Sequence, residues 1–552
     1  MNRLFKCLRL SVSPALAATI IGVLFVTVTT VDAQIARRTY TDTLEVRSLN
    51  LEVVVADRDG QRAPELTLAD FAIFVDDQAV PIEYFTEVRE GSYVETVDRY
   101  ADVGVVAGQS SGTSFLVFID EFFAYDGDKR QVLEALKKRV QAAAEWSPLD
   151  RVAVVAWDGR GIEVLADWSG DRSAVLAGLD TAIDRPGLGS ARQTERLEYG
   201  VPLDTTDLAS TTVNGGGDRY RLSSQERAYA EILAGQLHGT IGAAAAAMRG
   251  LDVIPGRKVL VLLSGGWPMN VDDWVGRSPS RSIQESRIPS GAEIYEPLAE
   301  TANLLGYSIY GVDVPGLMMV GSSGSGTRPA GTASFLEDDL HSSLRFLAAE
   351  TGGLPLIDQD RVSALGEVGK DVESFYWLGF TPAWNRNDTK HGIRVEVTRP
   401  DVFVRTRAGY LDAAPRTQVA MAVKSSLLFG MGRPSAELQL KIGEVELAGD
   451  GLFHVDIEMS IPIRILTIQE SETGYDAEAS LFVAALDASG GRSEIPATPL
   501  LLSSPTPFPS KGLVAHTLTL TLRDDTERVS MALYDVYGGK TYTNTITKAE
   551  GG

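Results

Sequence analysis

Cysteine is almost absent from this chain. The one cysteine among 552 residues is Cys7, which stands ahead of the first apolar stretch. Everything after it therefore lacks a disulfide framework, a thiol nucleophile and a cysteine metal ligand. Histidine is scarce as well: His238, His341, His391, His454 and His516 are the five, and none sits in a metal or nucleophile motif. Positive charge is in deficit, with 51 Lys+Arg against 74 Asp+Glu and a net charge of −23. That balance argues against nucleic acid or an anionic membrane surface as a partner. There is no GxxxxGK phosphate loop, no GxGxxG after the first buried strand and no GxSxG elbow. The segment nearest to the elbow reads Leu262-Leu263-Ser264-Gly265-Gly266, with no histidine placed to serve it.

The length suits several domains. At the start, Arg3, Lys6 and Arg9 form a basic head, and an apolar stretch follows from about Ala15 to Val28. Val31-Asp32-Ala33 offers small residues before Gln34. This pattern predicts a signal peptide over 1–33 and export to the periplasm or beyond, with no membrane span after cleavage. Retention of the segment as an anchor is the alternative.

The organising stretch is Ser114–Arg130, SFLVFIDEFFAYDGDKR. An apolar run from Phe115 to Ile119 ends in Asp120, an acidic loop and a helix. Continuous apolar runs suit parallel strands buried on both faces, and an acid at the carboxyl end of such a strand lies where open α/β sheets bind ligands. Three further runs repeat the pattern: RVAVVAW (Arg151–Trp157), KVLVLLS (Lys258–Ser264) and YSIYGVD (Tyr307–Asp313). Between them lie helical patterns, including one from Ser224 to about Gly250 that Ser223 and Glu226 open as a capping box. Ile162–Trp168 reads as an antiparallel edge strand, and Leu354–Ile357 as the last strand of the layer. The alternation predicts an α/β doubly wound layer with helices on both faces.

Short alternating strands precede this layer, as in Leu49, Leu51, Val53 and Val55, and others follow it from about Ser374 to Arg407. They are expected to pair into one β-sandwich with the α/β domain inserted. From about Val419 onward, strands separated by Gly, Asp and Pro turns predict an all-β, immunoglobulin-like sandwich. The expected domains are a signal peptide at 1–33, an N-terminal β-sandwich part at 34–105, the α/β domain at 112–360, completing strands at 372–412, and a C-terminal β-sandwich at 419–552.

Several pieces together resemble the bacterial family of secreted proteins related to the von Willebrand factor A-type domain. They are VVVADRDG, LTLADFAIFVDD, SFLVFIDEFF, IPGRKVLVLLSGGWP, LLGYSIYGVDVPGL, LAAETGG, SFYWLGFTP and HGIRVEVTRPDVFVRTRAGY, spread over roughly 45–411. The resemblance implies an A-type domain, and in that family active members carry a metal-ion-dependent adhesion site. Its pattern is Asp-x-Ser-x-Ser after the first strand, a threonine on a second loop and an aspartate after the fourth strand. Here Asp120 is kept, but Phe122 and Ala124 replace the serines and Gly265 stands where the second aspartate belongs. Thr240 falls within a helical pattern. A hard cation needs about six oxygens, so no tight metal site is expected; if there is one, it centres on Asp120. Asp120 is expected to accept hydrogen bonds from backbone N–H groups at the start of the following helix instead.

The remaining acids form the candidate site. Asp120, Glu121, Asp126, Asp128, Asp158 and Asp313 fall at or after carboxyl ends of predicted strands, where they would line an acidic rim. Three long connections, about Asp184–Ser223, Gly265–Ala292 and Pro315–Glu337, crowd the same face and bring Trp267 and Trp274 to it. The reading is a non-enzymatic, exported protein-binding or adhesion scaffold with no cofactor and an unidentified protein partner. Two alternatives stay open: an adhesin with a rebuilt Ca²⁺ or Mg²⁺ site on the rim, and a hydrolase that uses two rim carboxylates as acid and base.

Overall fold

The computed structural model describes residues 48–98, 108–142, 147, 149–199, 223–251, 256–276, 291–314, 332–357, 361–429, 437–449, 451–471, 474–488 and 491–547. The expected signal segment and the central parts of all three long connections lie outside the described residues. Every described residue belongs to one unit, Arg47–Gly552.

In chain order the first strands are β1 (Leu49–Asp57), β2 (Phe71–Val75), β3 (Gln78–Val80), β4 (Tyr84–Arg89) and β5 (Ser92–Asp98). The α/β layer follows with β6 (Thr113–Asp120), α1 (Asp126–Ala142), β7 (Arg151–Trp157), β8 (Ile162–Ser169), α2 (Arg172–Asp184) and α3 (Gly189–Glu198). It continues through α4 (Ser224–Gly250), β9 (Arg257–Leu263), α5 (Val271–Gly276), α6 (Ala292–Leu305), β10 (Tyr307–Val312), α7 (Thr332–Thr351), β11 (Pro355–Leu356) and α8 (Arg361–Glu373). Then come β12 (Phe375–Phe380), β13 (Thr389–Val397), β14 (Val402–Arg405), β15 (Gly409–Asp412) and α9 (Pro415–Phe429). The last strands are β16 (Gln439–Gly449), β17 (Leu452–Pro462), β18 (Gln469–Ser471), β19 (Gly474–Asp487), β20 (Ala497–Ser504), β21 (Leu513–Arg523), β22 (Thr526–Asp535) and β23 (Lys540–Thr547).

The α/β sheet has the order β11-β10-β9-β6-β7-β8, parallel except for β8, which runs antiparallel to β7. Numbered within the layer this is 6-5-4-1-2-3, so the order reverses between β6 and β9, the switch point where doubly wound sheets hold ligands. Side chains along β6 alternate between two cores. Leu116 and Phe118 face a cluster with α4 and α6, including Leu237, Ile241, Tyr295 and Leu298. Val117 and Ile119 face the other, with Val132 and Leu133 of α1, Leu179 of α2 and Val368 of α8. Burial on both faces is why these strands read as unbroken apolar runs. Truncating Phe118 to Ala would cost about 3–5 kcal/mol.

Strands from before and after this layer share sheets. β1 pairs antiparallel with β12, from Leu49 opposite Phe380 to Val53 opposite Tyr376, and β2 pairs with β13. The two resulting sheets, β14-β1-β12-β4-β5 and β15-β13-β2-β3, enclose Leu51, Val53, Ile73, Phe85, Leu378 and Phe380. A buried ionic cluster ties them to the α/β layer. Arg257 at the start of β9 lies 3.0 Å from Glu52 of β1, donates to the Val372 carbonyl and the Tyr310 hydroxyl, and stacks over Phe375. Asp371 of α8 accepts from Tyr310, from Arg405 through both oxygens at 2.6 Å, and from Arg62.

Four segments differ from expectation. The expected α/β domain stops at 360, yet α8 follows, and its Leu365, Val368 and Val372 close one face of the α/β layer. The stretch from Val419 is not all-β: it opens in α9, whose Val419, Val423 and Leu427 recur every fourth residue and pack on β19 and β22. The connections at 184–223 and 265–292 contain α3 and α5. Beyond α9, sheets β16-β17-β21 and β20-β19-β22-β23, with the short β18 also on β19, form the C-terminal sandwich around Ile457, Met459, Leu481, Met531 and Leu533.

Candidate functional site

Asp120 ends β6 and Ser264 follows β9, so the two stand on either side of the switch point. Asp120 is 0 % exposed. Its Oδ1 accepts from the Phe123 N–H at 3.2 Å. Its Oδ2 accepts from the Ser264 hydroxyl and from Trp267 Nε1, both at 3.0 Å. Burial pushes the carboxyl up to about 6, and the Trp267, Phe123 and Ser264 hydrogen bonds restrain that rise. The bonds come from the loops that follow β6 and β9 rather than from the start of α1, which begins only at Asp126.

The SGGWP loop explains how an indole reaches this position. Gly266 has φ +82°, and a Cβ there would sit 2.3 Å from the Leu340 carbonyl oxygen. Only glycine permits that path. Trp267 then folds inward, 0 % exposed. Its ring lies parallel to Tyr295 at 6.1 Å, and its backbone N–H donates to Ser343 Oγ. Tyr295 in turn donates its hydroxyl to the Pro268 carbonyl.

The next acid is enclosed too. Glu121 is 1 % exposed. It pairs with Lys129 at 3.3 Å and accepts from Arg185 Nε through both oxygens. Burial raises the Glu121 carboxyl, which Lys129 and Arg185 oppose, and burial lowers the Lys129 ammonium. Lys129 also donates to the Ala182 and Arg185 carbonyls, so this ion pair clamps the end of α2 to the β6–α1 loop.

The rim expected from sequence is therefore corrected at four positions. Asp120, Glu121, Trp267 and Trp274 are buried and unavailable to a partner. The tryptophans are enclosed because the β9–α5 loop and α5 turn into the layer: Trp274 lies under Arg196 of α3 at 4.2 Å. Asp126, Asp128, Asp158 and Asp313 remain exposed or half-exposed. Asp126 Oδ1 accepts from the Gly187 N–H. Asp158 Oδ1 holds the Arg160 and Gly161 N–H groups in a turn. Asp313 Oδ2 lies 3.6 Å from His341 Nε2.

The donor set does not suit a hard cation. Both Asp120 oxygens are already used by three donors. Phe122 covers the β7–β8 turn, where a Cβ at Gly159 would meet its ring at 2.2 Å, and Arg192 stacks over that ring at 4.6 Å. Ala124 supplies no side-chain oxygen. Thr240 is buried on α4, where its hydroxyl accepts from Trp157 Nε1 and donates to the Gln236 carbonyl. Among the described residues, no group of three His, Cys, Asp or Glu is arranged to hold a metal ion. A cavity of about 870 Å³ lies at the opposite, amino end of the sheet, walled by Val117, Val154, Val175 and Val368.

The element that sequence reading missed is Trp267 as a donor to Asp120.

No family model matches the chain, and no curated protein matches it. Among solved structures, it is similar to the pilus adhesin SpaC from Lactobacillus rhamnosus GG in an open conformation, at 7% identity and a TM-score of 0.26, over 87% of this chain. The chain spans 56% of the length of that adhesin. It is also similar to three N-terminal domains of the type V pili tip protein Mfa5 from Porphyromonas gingivalis, at 9% identity and a TM-score of 0.20, over 91% of this chain and 78% of that one. Neither likeness identifies a fold or a function. Among the described residues, no helix is long and apolar enough to cross a membrane.

Proposed function

We propose that this chain is an exported, non-enzymatic protein-binding scaffold whose α/β layer is an A-type domain with a closed metal site. The 6-5-4-1-2-3 strand order, the single kept aspartate at the end of the first strand and the sequence pieces on both sides of the layer support the A-type reading. One observation carries the functional reading: Trp267 Nε1 lies 3.0 Å from Asp120 Oδ2, inside the crevice where a ligand or cation would sit. A carboxylate that is enclosed from solvent and already has its partners is out of reach of a ligand. Binding then falls to the surface around the closed crevice, where Asp126, Asp128, Asp158 and Asp313 offer carboxylates to a basic protein segment. The carboxylate hydrolase reading has less support, because Asp120 and Glu121 are both enclosed and fully engaged.

Affinity capture from an envelope fraction tests the proposal, comparing the natural chain with an Asp126→Asn, Asp158→Asn, Asp313→Asn variant, each with and without chelator. The expected result is capture of the same proteins with chelator present and loss of capture in the variant. Capture that requires a divalent cation, or that the variant leaves unchanged, would overturn it.

A further inference from the structure

β21 is the edge strand of its three-stranded sheet. It pairs with β17 over 11 consecutive residues, from Leu513 opposite Pro462 to Arg523 opposite Leu452, without a bulge. Among the described residues no strand lies on its other side. The other long edges of this sandwich are guarded. β16 carries Lys441, Glu444 and Glu446 and two register shifts. β20 contains Pro499. β23 is covered, since Asn544 donates to the Leu438 carbonyl and the Thr545 and Ser426 hydroxyls meet at 2.6 Å. Charge, proline, bulges and cover are the devices that keep edges from pairing. β21, LVAHTLTLTLR, has no proline, glycine or acid, and Arg523 is its sole formal charge. Ala515, Thr517, Thr519 and Thr521 are exposed, Leu513 is 67% exposed, and Val514, Leu518, Leu520 and Leu522 are only half-buried.

The pattern selects its own occupant. The chain as a whole is acidic, at −23, so a strand taken from elsewhere on it tends to bring carboxylates to the edge. A second copy of β21 brings none. An antiparallel two-fold alignment centred on Leu518 overlaps the whole strand. On the outer side it sets Thr517 opposite Thr519, Ala515 opposite Thr521 and Leu513 opposite Arg523. On the inner side it sets Val514 opposite Leu522, His516 opposite Leu520 and Leu518 opposite itself. No like charges meet, threonine pairs are favourable cross-strand neighbours, and the two-fold contact closes on itself. We propose that two copies of this chain associate through antiparallel β21–β21 pairing, which joins two three-stranded sheets into one of six.

Sedimentation velocity of the full exported chain, across about two decades of micromolar concentration, reads the association. The expected result is a reversible dimer. T517K/T519K places lysine opposite lysine twice in this register and should weaken association at least about tenfold. T517K/T519E places lysine opposite glutamate twice and should restore it. Matching thermal melts of the variants establish that the fold is kept, and T517E/T519E serves as a second like-charged variant. A chain that stays monomeric throughout, a dimer that survives T517K/T519K, or a T517K/T519E variant that stays monomeric would each overturn the proposal.

Discussion

Trp267 Nε1 and Asp120 Oδ2 are 3.0 Å apart across the switch point of the α/β sheet, both fully buried. A charge-assisted hydrogen bond of this kind contributes about 1.5–3 kcal/mol. It also joins the loop after β9 to the end of β6, so it sets the shape of the surface above.

The first prediction concerns pH. The folded carboxyl of Asp120 is pushed up to about 6, against about 3.9 in an unfolded chain. The folded state therefore takes up this proton before the unfolded state does. Between about pH 6 and pH 4 the Asp120 contribution makes the protein more stable as pH falls, by up to about 3 kcal/mol, and it is lost again as pH rises through 6. Urea unfolding of the natural chain and of Asp120→Ala across this range checks it: the natural chain should show the extra negative slope and the variant should not.

Trp267→Phe keeps the ring stacked near Tyr295 but removes the indole donor. It should destabilise the protein by about 1–3 kcal/mol near pH 7, because a buried carboxylate loses a partner. The loss should shrink below pH 5, where the carboxyl is neutral. A loss that is the same at both pH values would assign the effect to packing.

The ionic cluster at the other end of the layer predicts the opposite pH response. Burial alone would raise the Asp371 carboxyl, yet Arg405 and Arg62 outweigh it and hold it below the usual range. Its contribution is present above about pH 4 and lost in acid. Asp371→Ala leaves Arg405 and Arg62 short of a counter-charge and should cost about 3–5 kcal/mol, measured by urea unfolding at pH 7.

A fragment spanning 112–360 should fail to melt cooperatively. It lacks α8, whose Leu365, Val368 and Val372 cover one face of the sheet, and it leaves Arg257 buried without Glu52 and Asp371. A fragment spanning 48–412 should melt as a unit. Circular dichroism melts of the two decide this, and a sharp transition for 112–360 would count against the cluster's role.

The central strands were readable because each is buried on both faces, which leaves an unbroken apolar run such as Phe115–Ile119 or Val152–Ala156. The Ser223–Glu226 capping box was readable because its geometry is local: Glu226 N–H donates to Ser223 Oγ at 3.2 Å, and Ser223 N–H to Glu226. α9 was hidden by its neighbours, since Val419, Val423 and Leu427 carry a helical period inside a stretch otherwise rich in strand signals. The enclosure of Trp267 was not readable at all. A tryptophan after two glycines and before a proline looks like an exposed loop residue, and only the placing of β6 beside β9 brings Asp120 within its reach. The same holds for Glu121, whose partners Lys129 and Arg185 come from different elements.

Titration of chelator-treated protein with Mg²⁺ and Ca²⁺ by isothermal calorimetry tests the closed-crevice account most directly. The account predicts no saturable one-to-one binding, since Phe122 and Ala124 offer no side-chain oxygen and both Asp120 oxygens are taken. A one-to-one site of micromolar or tighter affinity, abolished by Asp120→Ala in a protein that still folds, would contradict it.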